Sequence, residues 1–116
     1  MSDLKDLQKR VADFIDARDW RQFHDDPKNT LLALGSEVGE LMDLYRFTTV
    51  EQAKQRKLSH REDVEDEVAD ILYLLLMFCD ENDIDLEQAF LRKGIKREQR
   101  YPVQKSRGVS TKYDKL

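Results

Sequence analysis

Apolar residues recur three and four positions apart in several stretches of the chain, which is the spacing of an amphipathic α-helix. The first stretch runs from Leu4 to Asp19 and leaves one charged face. A second runs from Thr30 to Arg46 and follows an aromatic, turn-rich loop, in which Pro27 interrupts the pattern and Asn29 is the expected N-cap. The first half of the chain is therefore predicted to form two helices joined by a loop.

The second half of the chain predicts two further helices. Ser59 to Glu62 has the Ser-x-x-Glu form of a capping box, and the helix that it would open reaches Asp80. The first half of this helix is acidic, and its second half is an apolar run that is expected to be buried on all sides. Asp85 is the expected N-cap of a last helix that ends near Arg100. The polar segment 48–58 has only a weak helical pattern.

Composition supports an all-helical chain. Only four glycines and two prolines occur among the 116 residues, and 38% of the residues are charged, a balance that is typical of helices with solvated outer faces. We therefore predict an all-α protein, a four-helix bundle in a single domain of residues 1–102, followed by an irregular basic tail of residues 103–116. A chain of this length suits one core, yet it is short enough for a ligand site to need a partner subunit.

Charge and cysteine content argue against several classes of protein. A formal net charge of −4 disfavours broad binding of nucleic acid, which requires a basic face. Cys79 is the only cysteine and cannot form an internal disulfide. The most apolar run, Ile71 to Cys79, is far shorter than the roughly 20 residues that cross a bilayer. We expect a cytoplasmic protein that binds neither nucleic acid nor membrane, and any polyphosphate ligand would need a cation to offset its charge.

Two pairs of carboxylates interrupt the apolar stripes of the second and third predicted helices. Each residue advances by about 100° around the axis of an α-helix, so Glu37 and Glu40 lie about 60° apart around that axis and share a sector of the helix with leucines. Glu67 and Asp70 have the same arrangement on the third helix. Neither stripe contains a lysine or arginine, and an ionised carboxylate on a buried face is unfavourable unless it is paired or binds a cation. The pattern therefore predicts a shared divalent cation, Mg²⁺ or else Mn²⁺, since both accept carboxylate oxygens and water.

Two other interpretations compete with a magnesium site. The acids could form a solvated face, which is the usual fate of a charge run such as Glu62 to Glu67. A di-iron site would need Glu-x-x-His pairs, and neither His24 nor His60 has a glutamate three residues before it. Iron is therefore disfavoured.

The two acid motifs, Glu37-Val-Gly-Glu40 and Glu67-Val-Ala-Asp70, resemble those of the MazG-like family of all-α nucleoside triphosphate pyrophosphatases. Flanking motifs are similar to those of the dCTP pyrophosphatase-like branch: Arg18-Asp-Trp20, Phe23-His24, Pro27-Lys-Asn29, Leu31-Leu-Ala-Leu34, Arg100-Tyr-Pro102 and Lys112-Tyr113. The likeness covers nearly the whole chain. The order of these motifs along the chain, rather than any one of them, carries the resemblance.

The resemblance implies a MazG-like helical bundle with Mg²⁺ held by Glu37, Glu40, Glu67 and Asp70. It implies the conversion of a nucleoside triphosphate to the monophosphate and pyrophosphate, with dCTP or another dNTP as the expected substrate. The implied role is housekeeping of the nucleotide pool. The resemblance also implies a homodimer or a homotetramer. A carboxylate would accept the proton of the attacking water, and Glu37 and Glu40 are both candidates for this base.

Eight further residues are candidates for substrate binding: Trp20, His24, Lys28, Phe47, Lys93, Arg97, Lys112 and Tyr113. The aromatic ones could stack on a base, and the lysines and the tail could meet phosphates. Ordinary packing of loop aromatics and solvation of surface lysines are the alternatives. Phe47 stands where the branch tends to have tryptophan, and Arg97 stands where an asparagine would help to read the base, so the base selectivity stays open.

Two other functions fit the same sequence. A non-catalytic interaction module would use the acidic third and fourth helices to bind a basic partner, and its stability would not depend on metal. Another enzyme of the same superfamily would use the same acids on dUTP, on a damaged nucleotide or on phosphoribosyl-ATP. A panel of nucleotides would separate these functions.

Overall fold

The computed structural model describes residues 3–116, and it contains helices and no strand in that range. The prediction of an all-α protein is therefore confirmed. None of the helices in this range is long and apolar enough to cross a membrane. The α-helices are α1 (Leu4–Ala17), α2 (Pro27–Asp43), α3 (Val50–Ser59), α4 (Arg61–Glu81), α5 (Leu86–Arg100) and α6 (Val103–Ser106), with 3₁₀ turns at Arg21–Phe23 and Tyr113–Lys115.

The four predicted helices are present, and the structure adds two more, α3 and α6. The polar segment 48–58 is helical because Thr49 and Gln52 form a capping box, in which each side chain bonds the backbone N–H of the other at 3.1 and 2.9 Å. The predicted irregular tail contains the short helix α6 and the last 3₁₀ turn. A count of four helices was therefore too low.

Two predicted helix starts were wrong. Asp26, and not Asn29, caps α2, because its carboxylate accepts a hydrogen bond from the backbone N–H of Lys28 at 3.0 Å. Pro27 opens this helix, at a position where its missing N–H leaves no bond unmade. Ser59 ends α3 and does not cap α4. The predicted cap at Asp85 is confirmed by a bond from the N–H of Gln88 at 3.2 Å.

The chain divides into two compact units, the described residues up to Ile84 and the segment Asp85–Leu116. In the first unit α1, α2 and α3 each pack against α4. Among the described residues, the buried apolar side chains come from α1 and from the second half of α4: Val11, Ile15, Leu76, Met77 and Cys79. The prediction that this half of α4 is buried on all sides was too broad, since Leu75 is exposed.

The second unit consists of α5, α6 and the C-terminal turn. The ring of Tyr113 lies edge-on to that of Tyr101, with ring centroids 6.0 Å apart, and the guanidinium of Arg100 lies 4.6 Å from the Tyr113 ring. These contacts tie the end of the chain back to the end of α5. The division into a domain of residues 1–102 and a tail of 103–116 stays a prediction.

Candidate metal centre and nucleotide groove

An acid cluster forms where α2 packs on α4. Carboxylate oxygens of Glu37, Glu67 and Asp70 all lie within 4.8 Å of one another. Glu37 comes from the middle of α2, and the other two acids lie three residues apart on α4, so their side chains project from the same face. The structure therefore brings together three of the four carboxylates predicted from sequence.

The remaining carboxylate, Glu40, is exposed and lies outside the group of three. It is still close enough to Glu37 to influence its ionisation. The pKa of Glu37 is raised above its ordinary value, first by a hydrogen bond shared with Glu67, then by desolvation and by the negative charges of Glu67 and Asp70, while Glu40 acts in the opposite direction. A carboxyl group with a raised pKa among other acids indicates that negative charge has accumulated without a compensating cation.

Two oxygens of the acid cluster have no hydrogen-bond partner among the described residues. They are Oε2 of Glu37 and Oε2 of Glu67, and both are buried. Buried carboxylate oxygens are costly unless something bonds them. A divalent cation offered these oxygens and one from Asp70 would have hard oxygen ligands from two helices, the kind of donor set that Mg²⁺ and Mn²⁺ prefer. The residues present therefore fit a divalent cation.

A groove of about 730 Å³ runs between α1 and α4, beside the acid cluster. Its walls include Phe14, Trp20, Tyr73 and Asp70. The Phe14 ring meets both other rings edge-on, at 5.8 Å from Trp20 and 5.9 Å from Tyr73 between centroids. This α1–α4 groove thus combines aromatic walls with a carboxylate of the acid cluster.

A second cavity, the His24 recess, has a volume of about 200 Å³. Its lining residues are Phe23, His24, Asp26, Asn29, Thr30, Ala33, Leu74 and Met77. The rings of Trp20 and His24 are 6.5 Å apart and tilted, yet they line different cavities. Trp20 and His24 are therefore neighbours that face two adjacent cavities, and a shared role in substrate binding stays a prediction.

Lys28 and Phe47 are not part of the acid cluster. The Lys28 ammonium is 3.7 Å from the Asp26 carboxylate. Lys28 precedes Glu37 by nine positions in α2, which corresponds to about 13 Å along the helix axis. Phe47 follows α2 in a left-handed backbone conformation, with φ of 62°, and is 92% exposed. Its ring is 4.7 Å from the guanidinium of Arg46. Substrate contacts for both residues stay predictions.

Four predicted substrate residues belong to the second unit. Lys93 is exposed on α5, and the Arg97 guanidinium lies 6.0 Å from the ring of Phe90. The ammonium of Lys112 lies 5.9 Å from the ring of its neighbour Tyr113. Their roles in binding likewise stay predictions.

Sequence reasoning missed two residues that shape the first unit. Phe14 has the spacing of a core residue on α1, and nothing in that spacing shows that it would border an open groove. Arg21 forms ion pairs with Asp16 and Asp80, which belong to two different helices. The position of Arg21 directly after Trp20 was the one available signal, and it carries no information about a partner 59 residues away.

Comparison with known proteins defines the family. Residues 33–116 match the profile of the MazG-like family. Bovine dCTP pyrophosphatase 1 is 41% identical over 97% of this chain and 68% of its own length, and human dCTP pyrophosphatase 1 is 37% identical over 97% and 67%. A crystal structure of a pyrophosphatase from Archaeoglobus fulgidus superposes with a TM-score of 0.78 at 31% identity, covering 88% of this chain and 94% of that one.

The chain belongs to the MazG-like family, within its dCTP pyrophosphatase-like branch. The resemblance seen in the acid motifs is thereby confirmed, and so is the enzyme class, a nucleoside triphosphate pyrophosphatase. The non-catalytic interaction module loses its support, because the similarity extends over almost the whole chain rather than over an acidic face.

Proposed function

We propose that the protein hydrolyses a deoxynucleoside triphosphate to the monophosphate and pyrophosphate, with dCTP as the preferred substrate and Mg²⁺ held at the acid cluster. One observation carries this proposal. Asp70 belongs both to the acid cluster and to the wall of the α1–α4 groove. A nucleotide whose base lies in the groove would therefore have its phosphates beside the carboxylates. The preference for dCTP follows the bovine and human relatives, and dUTP, a damaged nucleotide and phosphoribosyl-ATP are the competing substrates.

Glu37, Glu67 and Asp70 would hold the cation, with Mn²⁺ as the alternative to Mg²⁺. When bound, a divalent cation supplies neutralisation of phosphate oxygens and polarisation of the phosphoryl group. The protein supplies a fixed set of oxygens from two packed helices. Because the buried oxygens of Glu37 and Glu67 are unbonded, this set needs little rearrangement to accept a cation.

Glu40 is the better of the two candidates for the general base. Glu37 is engaged with the other members of the acid cluster, whereas Glu40 is exposed and lies beside them. A carboxylate that is not itself a metal ligand is free to accept the proton of an attacking water. Replacing Glu40 by glutamine should then lower turnover and leave the affinity for metal nearly unchanged.

The groove offers Trp20 as the platform for the base. Aromatic faces stack on any base, and such stacking is worth about 1–3 kcal/mol. His24 would contact the nucleotide from the adjacent recess. Phe47 is proposed to stack on a base. Five further residues are proposed to contact the phosphates or the base of the bound nucleotide: Lys28, Lys93, Arg97, Lys112 and Tyr113.

The exposure of Phe47 supports a homodimer or homotetramer as part of this proposal. An aromatic ring that is almost wholly exposed on its own chain can serve a site on a second copy. The outer face of α2 is also apolar and exposed at Leu31, Leu32 and Met42. A cytoplasmic location and a role in nucleotide-pool housekeeping, without nucleic-acid or membrane partners, complete the proposal.

The test is pyrophosphate release from separate dNTPs and NTPs, each with Mg²⁺, with Mn²⁺ and with EDTA. Glu67→Gln should abolish release, and the matched control Glu65→Gln should not, because Glu65 is exposed on α4 and paired with Arg61. Release of orthophosphate, or release that survives EDTA, would overturn the reaction. A fastest substrate other than dCTP would change the substrate assignment and leave the chemistry intact.

A further inference from the structure

Arg21 is the first residue of the 3₁₀ turn that follows Trp20. Its guanidinium meets carboxylates from two helices. On α4, Nη1 is 2.6 Å from Oδ2 of Asp80 and Nη2 is 3.5 Å from Oδ1. On α1, Nε bonds Oδ1 of Asp16 and Nη2 is 3.4 Å from Oδ2. Both carboxylates therefore meet the planar fork through two of their oxygens, a geometry that lysine cannot reproduce.

The span of this interaction distinguishes it from ordinary surface pairs. The pairs at Lys9, Arg46 and Arg61 join residues three or four apart in the chain. Arg21 and Asp80 are 59 residues apart in the chain, and the side chain of Asp80 is only 20% exposed. The pKa of Arg21 is raised, mainly by its hydrogen bonds to Asp80 and Asp16. Screening by solvent is weaker for such a partly buried pair than for an exposed one.

Among the described hydrogen bonds of residues 18–24, those that Arg21 makes with Asp80 are the ones that reach α4. The backbone N–H of Trp20 bonds the carbonyl of Ile15, and Asp19 before it has φ of 53°, so the chain reverses directly at the end of α1. These bonds fix the turn to α1 alone. The guanidinium of Arg21 adds the connection to α4, the helix that carries Glu67 and Asp70.

We propose that Arg21 is a positioning residue for nucleotide binding: it ties the turn after α1 to α4 and so holds the Trp20 indole against the α1–α4 groove. This inference rests on the proposed contact between Trp20 and the base. Arg21 acts without a nucleotide contact of its own in this proposal, because four of its five N–H donors already bond two carboxylates. Its effect on binding therefore passes through Trp20.

The first measurement is the steady-state kinetics of dCTP hydrolysis, or of the nucleotide hydrolysed fastest in the panel above. Arg21→Gln should raise KM about tenfold, the loss expected when part of a stacking contact disappears, and should change kcat by less than about twofold because the acid cluster is untouched. Arg61→Gln is the matched control, since it removes an arginine pair from α4 without touching the turn. It should leave KM unchanged.

Three further readouts separate positioning from other roles. Trp20 is the only tryptophan in the chain, so its emission should move to longer wavelength in Arg21→Gln as the indole leaves the Phe14 ring. In a Trp20→Ala background, Arg21→Gln should have no additional effect on KM. Inhibition by inorganic tripolyphosphate, which has no base, should be the same in Arg21→Gln and the wild type.

The opposite results each overturn the inference. Weaker inhibition of Arg21→Gln by tripolyphosphate would mean that Arg21 binds phosphate directly. If the KM effects of Arg21→Gln and Trp20→Ala are additive, Arg21 does not act through Trp20. A fall in kcat together with a loss of metal affinity would mean that Arg21 merely supports the packing of the helices. If Arg21→Gln does not fold, Asp80→Asn tests the same connection. Should Trp20→Ala itself leave KM unchanged, the proposed base contact fails instead.

Discussion

The acid cluster and the α1–α4 groove share α4, yet different forces shape them. The cluster is held by two regular helices that pack along their length, and its buried, unbonded oxygens make it unfavourable until a cation binds. The groove is lined by Trp20 from the turn after α1 and by Phe14 and Tyr73, and the Phe14 ring meets both other rings edge-on. In the function proposed above, the accumulated negative charge of the acid cluster would serve the chemistry, and the apolar surface of the groove would serve recognition of the base.

The largest effect is expected at Asp70, the residue common to both regions. Asp70→Asn preserves the size of the side chain and removes the charge that would hold the cation. Loss of several kcal/mol of transition-state stabilisation corresponds to a fall in kcat/KM of about 10²–10³-fold. Pyrophosphate release at saturating Mg²⁺ measures it, with Glu65→Gln as the control on the same helix. Near-normal turnover in Asp70→Asn would contradict the shared role of this residue.

Trp20→Ala should separate recognition from chemistry. Removal of the indole would take away the proposed base platform and leave the acids in place, so we expect KM to rise about tenfold or more with kcat nearly constant. Phe23→Ala is the matched control, because this exposed ring lines the His24 recess and not the groove. If Phe23→Ala raises KM more than Trp20→Ala does, the base occupies the recess, and the two cavities exchange roles.

Glu37→Gln should stabilise the metal-free protein at neutral pH. The folded-state pKa of Glu37 is raised, chiefly by its hydrogen bond with Glu67, so between the ordinary and the raised value the native state holds a proton that the unfolded state has already lost. This contribution to stability is full below the ordinary glutamate pKa and is lost as pH rises through the raised value. Glutamine has no such loss, and the difference in Tm should shrink as the pH is lowered.

Thermal unfolding in EDTA across this range of pH measures the effect, and the same melts with Mg²⁺ supply the contrast. A cation that binds only the native state should stabilise the wild type more than Glu37→Gln. If the variant is not more stable than the wild type in EDTA at any pH, the acid cluster carries no electrostatic strain, and the comparison with the groove loses its basis.

The predictable part of the fold is the part with apolar periodicity. The helices from Leu4, Leu86 and the middle of the chain all carry an apolar stripe that the sequence shows. Helices α1 and α4 bury residues of this stripe, whereas Phe90 and Ile95 of α5 are exposed. Helix α3 has no such stripe; it is held by its capping box and by Arg56, whose Nε donates to the carbonyl of Leu44 at 2.7 Å. A bond between residues 12 apart leaves no periodic signal in the sequence.

The acid cluster was predictable for a related reason. Glu37, Glu67 and Asp70 lie in apolar sectors of two helices, so helix packing alone brings them together. Glu40 shares the sector of Glu37, yet it is exposed and lies outside the group of three carboxylates. The groove could not be predicted, since whether Phe14 is covered or left open depends on the path of the turn that Arg21 fixes.

The smallest effect concerns the rigidity of α2, the helix that carries Glu37. An added Cβ at Gly35 would meet nothing within 4 Å among the described residues, so Gly35→Ala should stabilise the fold by about 0.5–1 kcal/mol in urea unfolding. Gly108→Ala is the opposite control, because φ of 75° disfavours alanine there. If regular helices place the acid cluster, a stiffer α2 leaves turnover unchanged. A loss of stability or of turnover in Gly35→Ala would instead show that another surface, such as a second copy of the chain, lies against this face of α2.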